Sequence, residues 1–160
     1  MMGVLFSEDR IDFRGKLTTG EIKQIIRSGG ADTLQTDTLP LDVSTLQRLN
    51  EEYFAKYPHT ELRIYTYGSC DLSLLKVMDK VRKLSVEASS GILGIDAIYQ
   101  LPALKHLCVE TPKIEDKDFL VKIPASLESL DLDIAAKSFD LKPLTRFTEL
   151  KVLGLHKCKK

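Results

Sequence analysis

One pattern, apolar-x-x-apolar-x-apolar, recurs in LKHLCV (104–109), LESLDL (127–132) and LKVLGL (150–155). The first leucines of the three motifs are 23 residues apart each time, from Leu104 to Leu127 and from Leu127 to Leu150. A constant period of this size is typical of stacked repeats, in which each repeat buries its apolar side chains against its neighbours. The pattern therefore predicts a repeat architecture with one continuous core.

The repeat extends toward the amino terminus. Val81, Leu84 and Val86 fit the same pattern, again 23 residues before the motif that begins at Leu104. Further upstream the match weakens, so the first two repeats are atypical. We therefore expect seven short parallel strands, beginning near residues 11, 34, 62, 84, 107, 130 and 153.

Helical signals lie between the early strands. Thr18 and Glu21 have the spacing of a capping box, and Gly29 is expected to end that helix. Ser44 and Gln47 predict a second helix start of the same kind. A shorter helix is expected at 72–81, and a further helical segment, interrupted by glycines and β-branched residues, at 91–100. Strands that alternate with such crossovers form parallel sheets.

These motifs resemble the leucine-rich repeat family, closely over about residues 59–160 and loosely over 8–58. The resemblance implies an α/β solenoid with a curved parallel sheet on its concave side and helices or irregular segments on its convex side. It also implies one domain over residues 1–160 with about seven repeats. The family places Asn or Cys three residues after the last strand leucine. Cys158 fits that position, whereas Pro112 does not.

The carboxyl-terminal end of the predicted solenoid has no convex segment, since Lys160 follows Leu155 by only five residues. A solenoid end needs a polar cap over its core. Two explanations stay open. Either Lys157, Lys159 and Lys160 form a polar edge, or this sequence has been cut from a longer protein.

Composition narrows the functional classes. The 160 residues include 23 basic and 23 acidic side chains, so the net charge is zero, which argues against a general binder of nucleic acid or membrane surfaces. Three cysteines imply no disulfide framework. No apolar run approaches the roughly 20 residues of a membrane-spanning helix. We therefore expect a cytoplasmic protein with no nucleic-acid or membrane partner.

Polar residues of the motifs are predicted to share the sheet face opposite the leucines, because side chains alternate along a strand. The seventh motif position is acidic in four of the seven repeats, three of them consecutive. Neighbouring strands lie about 4.8 Å apart, so these charges repel by roughly 1 kcal/mol each. We interpret the row as a recognition surface for a basic protein partner. The expected contacts are Asp37, Tyr65, Glu87, Glu110, Asp131, Asp133 and His156.

A solvated face without a partner is the alternative interpretation of the same row. Arg82, Lys105 and Lys151 occupy the second motif position and are expected to offset the acids. Surface charge pairs are common and individually weak. Tyr65 and Tyr67 are contact candidates because aromatic anchors often dominate interfaces, and surface tyrosines that only cover the sheet are the alternative interpretation.

Metal-binding and catalytic chemistry have weaker support. His106, Cys108 and Glu110 are plausible zinc ligands on one strand face. However, residues two apart on a strand are roughly 6.5 to 7 Å apart at Cα, which makes shared coordination awkward. The sequence contains no phosphate-binding loop, no GxSxG and no HExxH. We therefore expect no metal, no cofactor and no catalytic residues.

The family resemblance implies a non-catalytic protein-binding module that uses an acidic concave face. Two alternatives stay open. The chain is the recognition part of a larger enzyme or effector, or it is an immunity or inhibitor protein that blocks a basic enzyme by electrostatic complementarity.

Overall fold

Seven parallel strands form the centre of the fold. A computed structural model describes residues 3–37, 42–135 and 140–157. The strands, in chain order, are β1 (Leu5–Phe6), β2 (Arg10–Phe13), β3 (Thr33–Thr36), β4 (Glu61–Thr66), β5 (Ser69–Asp71), β6 (Lys83–Ala88), β7 (Gly91–Leu93), β8 (His106–Thr111), β9 (Ser129–Ile134) and β10 (Val152–His156). One open eight-stranded sheet has the order β1-β2-β3-β4-β6-β8-β9-β10, and β5 pairs with β7 beside it.

Equivalent motif positions are register partners across the large sheet. Leu107 lies opposite Leu130, and Leu130 lies opposite Leu153. The same position continues in the other direction through Leu84, Leu62, Leu34 and Ile11. The predicted set of seven parallel strands is therefore confirmed. The architecture is mixed α/β, with a mostly parallel sheet and few helices.

The motif leucines form the core on one face of this sheet. In the repeats that begin at 81, 104 and 127, every motif apolar residue is at most 2% exposed. The last repeat differs, because Leu150 and Leu155 are only partly buried and Leu153 is 45% exposed. The expectation that all motif leucines point into the core is thus wrong for Leu153. Its strand β10 has a neighbour on one side only, so less apolar surface covers it.

Two α-helices connect the early strands. Helix α1 (Thr19–Arg27) begins at the predicted capping box of Thr18 and Glu21, which is confirmed. Helix α2 (Val43–Arg48) does not start at Ser44 as predicted. Its cap is Asp42, two residues earlier, whose carboxylate accepts a hydrogen bond from the Thr45 backbone N–H at 3.0 Å. The chain then continues as a π-helix over Leu49–Phe54.

The later connections are tighter than α-helices. They consist of 3₁₀ helices at Ser73–Val77, Ile95–Gln100 and Lys142–Arg146 and a single turn, α3 (Phe119–Lys122). The helix predicted at 72–81 is therefore shorter and of the tighter type.

Strands β1, β5 and β7 were absent from the sequence prediction. Gly94 ends β7 in the left-handed conformation, with φ of 63°. A Cβ at Gly94 would lie 2.7 Å from the Ser73 backbone nitrogen, so the two connections meet closely there. Cys158, Lys159 and Lys160 lie outside the described residues, so the expected turn residue and polar edge stay predictions.

Candidate functional site

The seventh motif positions form one continuous row at the carboxyl ends of the strands. Successive register partners are Tyr65 with Glu87, Glu87 with Glu110, Glu110 with Asp133, and Asp133 with His156. We call these five residues the carboxyl-end row. The structure therefore places three carboxylates on adjacent strands, as the spacing predicts. Asp37 follows β3 and pairs with Arg14 at 3.0 Å.

Two of the three adjacent acids are already paired with bases. Arg63, two residues before Tyr65 on β4, contacts the Glu87 carboxylate at 2.7 Å. Lys157, just after β10, contacts the Asp133 carboxylate at 2.9 Å. Glu110 lies between them, is exposed, and makes no ion pair within the part of the chain that the structure describes.

The predicted offsetting bases are at the wrong end of the strands. Lys151 contacts Glu128 at 2.6 Å, and Lys105 is 3.9 Å from the same carboxylate. Second and seventh motif positions are separated by five residues, or roughly 16 Å along an extended strand. Lys105 and Lys151 therefore neutralise an acid at the amino ends, and the row is offset by Arg63 and Lys157 instead.

Two tyrosines lie together at the β4 end of the carboxyl-end row. The rings of Tyr65 and Tyr67 meet edge to face with centroids 5.3 Å apart, and their hydrogen bond raises the pKa of Tyr65. The Arg63 guanidinium lies 5.3 Å from the Tyr65 ring centroid. Tyr67 is 82% exposed.

The Tyr67 backbone is held in place although its side chain is exposed. The Ser89 hydroxyl donates a hydrogen bond to the Tyr67 carbonyl oxygen. The Gly68 N–H donates to the Thr66 hydroxyl at 3.2 Å. An exposed aromatic ring on an ordered turn loses little conformational freedom when a partner covers it.

A cleft of about 300 Å³ lies along the row. Four of the seven expected contacts line it, namely Tyr65, Glu87, Glu110 and Asp133. Its other lining residues are Thr66, Tyr67, Ala88, Ser89, Thr111, Pro112, Ala135 and Lys157. The cleft thus combines carboxylates with apolar and aromatic surface.

The remaining expected contacts lie outside this cleft. Asp37 lines a neighbouring cleft of about 380 Å³ together with Arg14 and Tyr65. Asp131 lies two residues earlier on β9, where its carboxylate is 3.6 Å from the His156 ring. A Cβ at Gly154, the register partner of Asp131, would lie 2.8 Å from its carboxylate carbon. The glycine therefore leaves the space that this carboxylate occupies.

Two contributors to the site were missed from the sequence. Arg63 shares its strand face with Tyr65, so the period of two contains a signal for it. Lys157 should face away from His156 in an extended chain. Its φ of 56° shows that the backbone makes a left-handed turn there, which is uncommon for a residue other than glycine. No pattern in the sequence indicates this turn.

The residues considered as zinc ligands lie on β8 as predicted. Burial raises the pKa of the Cys108 thiol, and a hydrogen bond with Ser85 opposes this only in part. In contrast, burial lowers the pKa of the His106 imidazole, and the positive charge of Lys83 lowers it further. Across residues 3–37, 42–135 and 140–157, no three His, Cys, Asp or Glu side chains are grouped so that they could hold a metal ion.

Comparisons with known proteins do not place the chain in a family. No protein-family model matches the sequence, and no curated protein matches it significantly. Among the described residues, no helix has both the length and the apolar character needed to cross a bilayer.

Proposed function

We propose that this chain is a leucine-rich-repeat-type solenoid that binds another protein through the carboxyl-end row, without catalysing a reaction. The constant 23-residue period and the register partnership of Leu84, Leu107 and Leu130 support stacked repeats. In such a solenoid the polar sheet face is the concave side, and the helices and 3₁₀ segments form the convex side.

The cleft along the row is the observation that carries the binding proposal. It brings together three carboxylates and two tyrosines from four adjacent strands and the turn after β4. Lys157 is the only base among its lining residues in the described part of the chain. A partner with a basic segment would be attracted electrostatically and would find aromatic surface to cover.

A comparative pull-down tests this function. The bait proteins are the wild type, the triple variant Glu87→Lys, Glu110→Lys, Asp133→Lys, and a control with Glu115→Lys, Glu128→Lys and Glu149→Lys. Both variants change the net charge by the same amount, but the control residues lie outside the cleft. We expect the triple variant to lose partners that the wild type and the control both retain at low salt.

Two checks make the pull-down decisive. Circular dichroism must show that both variants keep the wild-type fold, because like charges beside Arg63 and Lys157 cost stability. Partners should also dissociate as salt is raised, since exposed charges are screened within about 8 Å at physiological ionic strength. Identical partners for the folded triple variant and the wild type would contradict the proposal.

A further inference from the structure

The cleft is lined by aromatic side chains at one end and by carboxylates further along. Tyr65 and Tyr67 supply aromatic surface at one end, and Pro112, just after β8, adds apolar surface near Glu110. Glu110 stands in the middle, between the Glu87–Arg63 and Asp133–Lys157 ion pairs. The arrangement matches a ligand with an apolar stem, a planar group and one positive charge.

An arginine of the protein already shows how this surface holds a cation. The Arg63 guanidinium lies 5.3 Å from the Tyr65 ring centroid while it contacts the Glu87 carboxylate at 2.7 Å. Stacking on an aromatic ring combined with a carboxylate contact is the geometry that guanidinium groups favour. Tyr67 and Glu110 supply the same two residue types to the cleft, Tyr67 from the turn after β4 and Glu110 from β8, two strands away from β4 in the sheet. Tyr67 leaves 82% of its surface exposed, and Glu110 has no ion pair among the described residues.

We propose that the cleft between Tyr67 and Glu110 receives one arginine side chain of the partner, with the guanidinium at the Glu110 carboxylate and the stem against the tyrosines. This inference rests on the proposed function, because it names the group by which a protein partner would be recognised. Arginine is assigned rather than lysine because its planar guanidinium can contact a carboxylate through two N–H groups at once, whereas a lysine ammonium is a compact, strongly hydrated point charge.

The test uses three blocked tripeptides, acetyl-Gly-Xaa-Gly-amide with Xaa arginine, lysine or citrulline. Citrulline keeps the planar shape and the stem of arginine and lacks the charge. Each peptide is titrated into the ¹⁵N-labelled full chain at low salt and followed by amide chemical shifts. We expect the arginine peptide to shift amides at 65–68, 87–89 and 110–111, with the lysine peptide weaker and the citrulline peptide weakest.

Variants of the chain locate the binding group. Glu110→Gln should weaken arginine-peptide binding about fivefold, the effect of a favourable exposed ion pair. Tyr67→Ala should weaken it about threefold, because the arginine stem loses apolar ring surface against which it packs. Glu115→Gln is the matched control, because its side chain is 79% exposed and paired with Lys113 outside the cleft. It should bind the arginine peptide as the wild type does.

Several results would overturn the inference. These are equal binding of the arginine and citrulline peptides, lysine binding as tightly as arginine, no shifts with any peptide, or unchanged binding by Glu110→Gln. The outcome is separable from that of the pull-down. If the triple charge reversal abolishes partner capture but the arginine peptide does not bind, the protein-binding function stands and the arginine site is wrong. If the arginine peptide binds as expected but the folded triple variant captures the same partners as the wild type, the cleft binds arginine and the proposed protein-binding function is wrong.

Discussion

Glu110 differs from the two acids beside it in the carboxyl-end row, because its carboxylate makes no ion pair among the described residues. Glu87 and Asp133, its register partners, are each within 2.9 Å of a base, whereas Glu110 has no ion pair in the described ranges. Pairing the flanking acids reduces the like-charge repulsion that three adjacent carboxylates would otherwise produce. The row is therefore partly neutralised, as the solvated-face alternative expects, and keeps one exposed carboxylate beside apolar surface.

Glu61, at the amino end of β4, gives a pH-dependent prediction. Burial raises the pKa of its carboxyl group, although Arg63 and Lys83 lower it in part and Glu87 adds to the rise. The unfolded chain therefore releases this proton at a lower pH, near the ordinary value of about 4.3, than the folded chain does. The stability linked to the proton is fully present below that pH and is lost as pH rises through the folded pKa.

The variant Glu61→Gln should thus unfold at a higher urea concentration than the wild type at pH 7, and at nearly the same concentration at pH 3.5. Comparing wild type and variant at each pH removes the contribution of all other titrating groups. If the variant were less stable at pH 7 by the same amount as at pH 3.5, ionised Glu61 would not be the destabilising species.

At the scale of single elements, the strands share a motif and differ in burial. Leu130 on β9 is 0% exposed and has strands on both sides, whereas its register partner Leu153 on β10 is 45% exposed. The same residue type at the same motif position therefore has two environments. Comparing the two leucines therefore shows how much of a motif leucine's contribution to the free energy of unfolding depends on having neighbouring strands on both sides.

Leu130→Ala should destabilise the protein by about 2 to 5 kcal/mol, because it removes buried methyl groups and leaves a cavity. Leu153→Ala should cost about 1 kcal/mol or less, since nearly half of its side chain already contacts solvent. Urea denaturation of both variants checks the contrast. Equal losses would mean that β10 is as deeply packed as β9, against the structure.

The period in the sequence was sufficient to predict the seven parallel strands and their partners, because burial of the fourth and sixth motif residues requires one register. It also identified the face and the end of the sheet at which Glu87, Glu110 and Asp133 lie. The helix start and the last turn depend on single residues, which a repeating pattern does not predict. Asp42 and Ser44 are both good helix caps, and the helix begins after Asp42, whose carboxylate accepts hydrogen bonds from the Thr45 N–H and hydroxyl. The left-handed turn at Lys157 decides the neutralisation of Asp133.

At the scale of the whole molecule, the side-by-side arrangement of the strands creates the surface to which we assign partner binding. In the repeats that begin at 81, 104 and 127, each strand buries its motif apolar residues on one face of the sheet and sets one residue in the carboxyl-end row on the other. The cleft exists only because four such strands lie side by side. A shift of one residue between two strands would move the row to the core face and destroy the cleft.

Methyl–methyl nuclear Overhauser contacts in the ¹³C-methyl-labelled protein test this stacking most directly. Neighbouring strands are about 4.8 Å apart, so in-register leucines give cross-peaks and leucines two strands apart do not. We expect cross-peaks between Leu62 and Leu84, Leu84 and Leu107, and Leu107 and Leu130, and none between Leu84 and Leu130. Absence of the Leu84–Leu107 and Leu107–Leu130 peaks, or a Leu84–Leu130 peak in their place, would contradict the stacked repeats and the binding surface built on them.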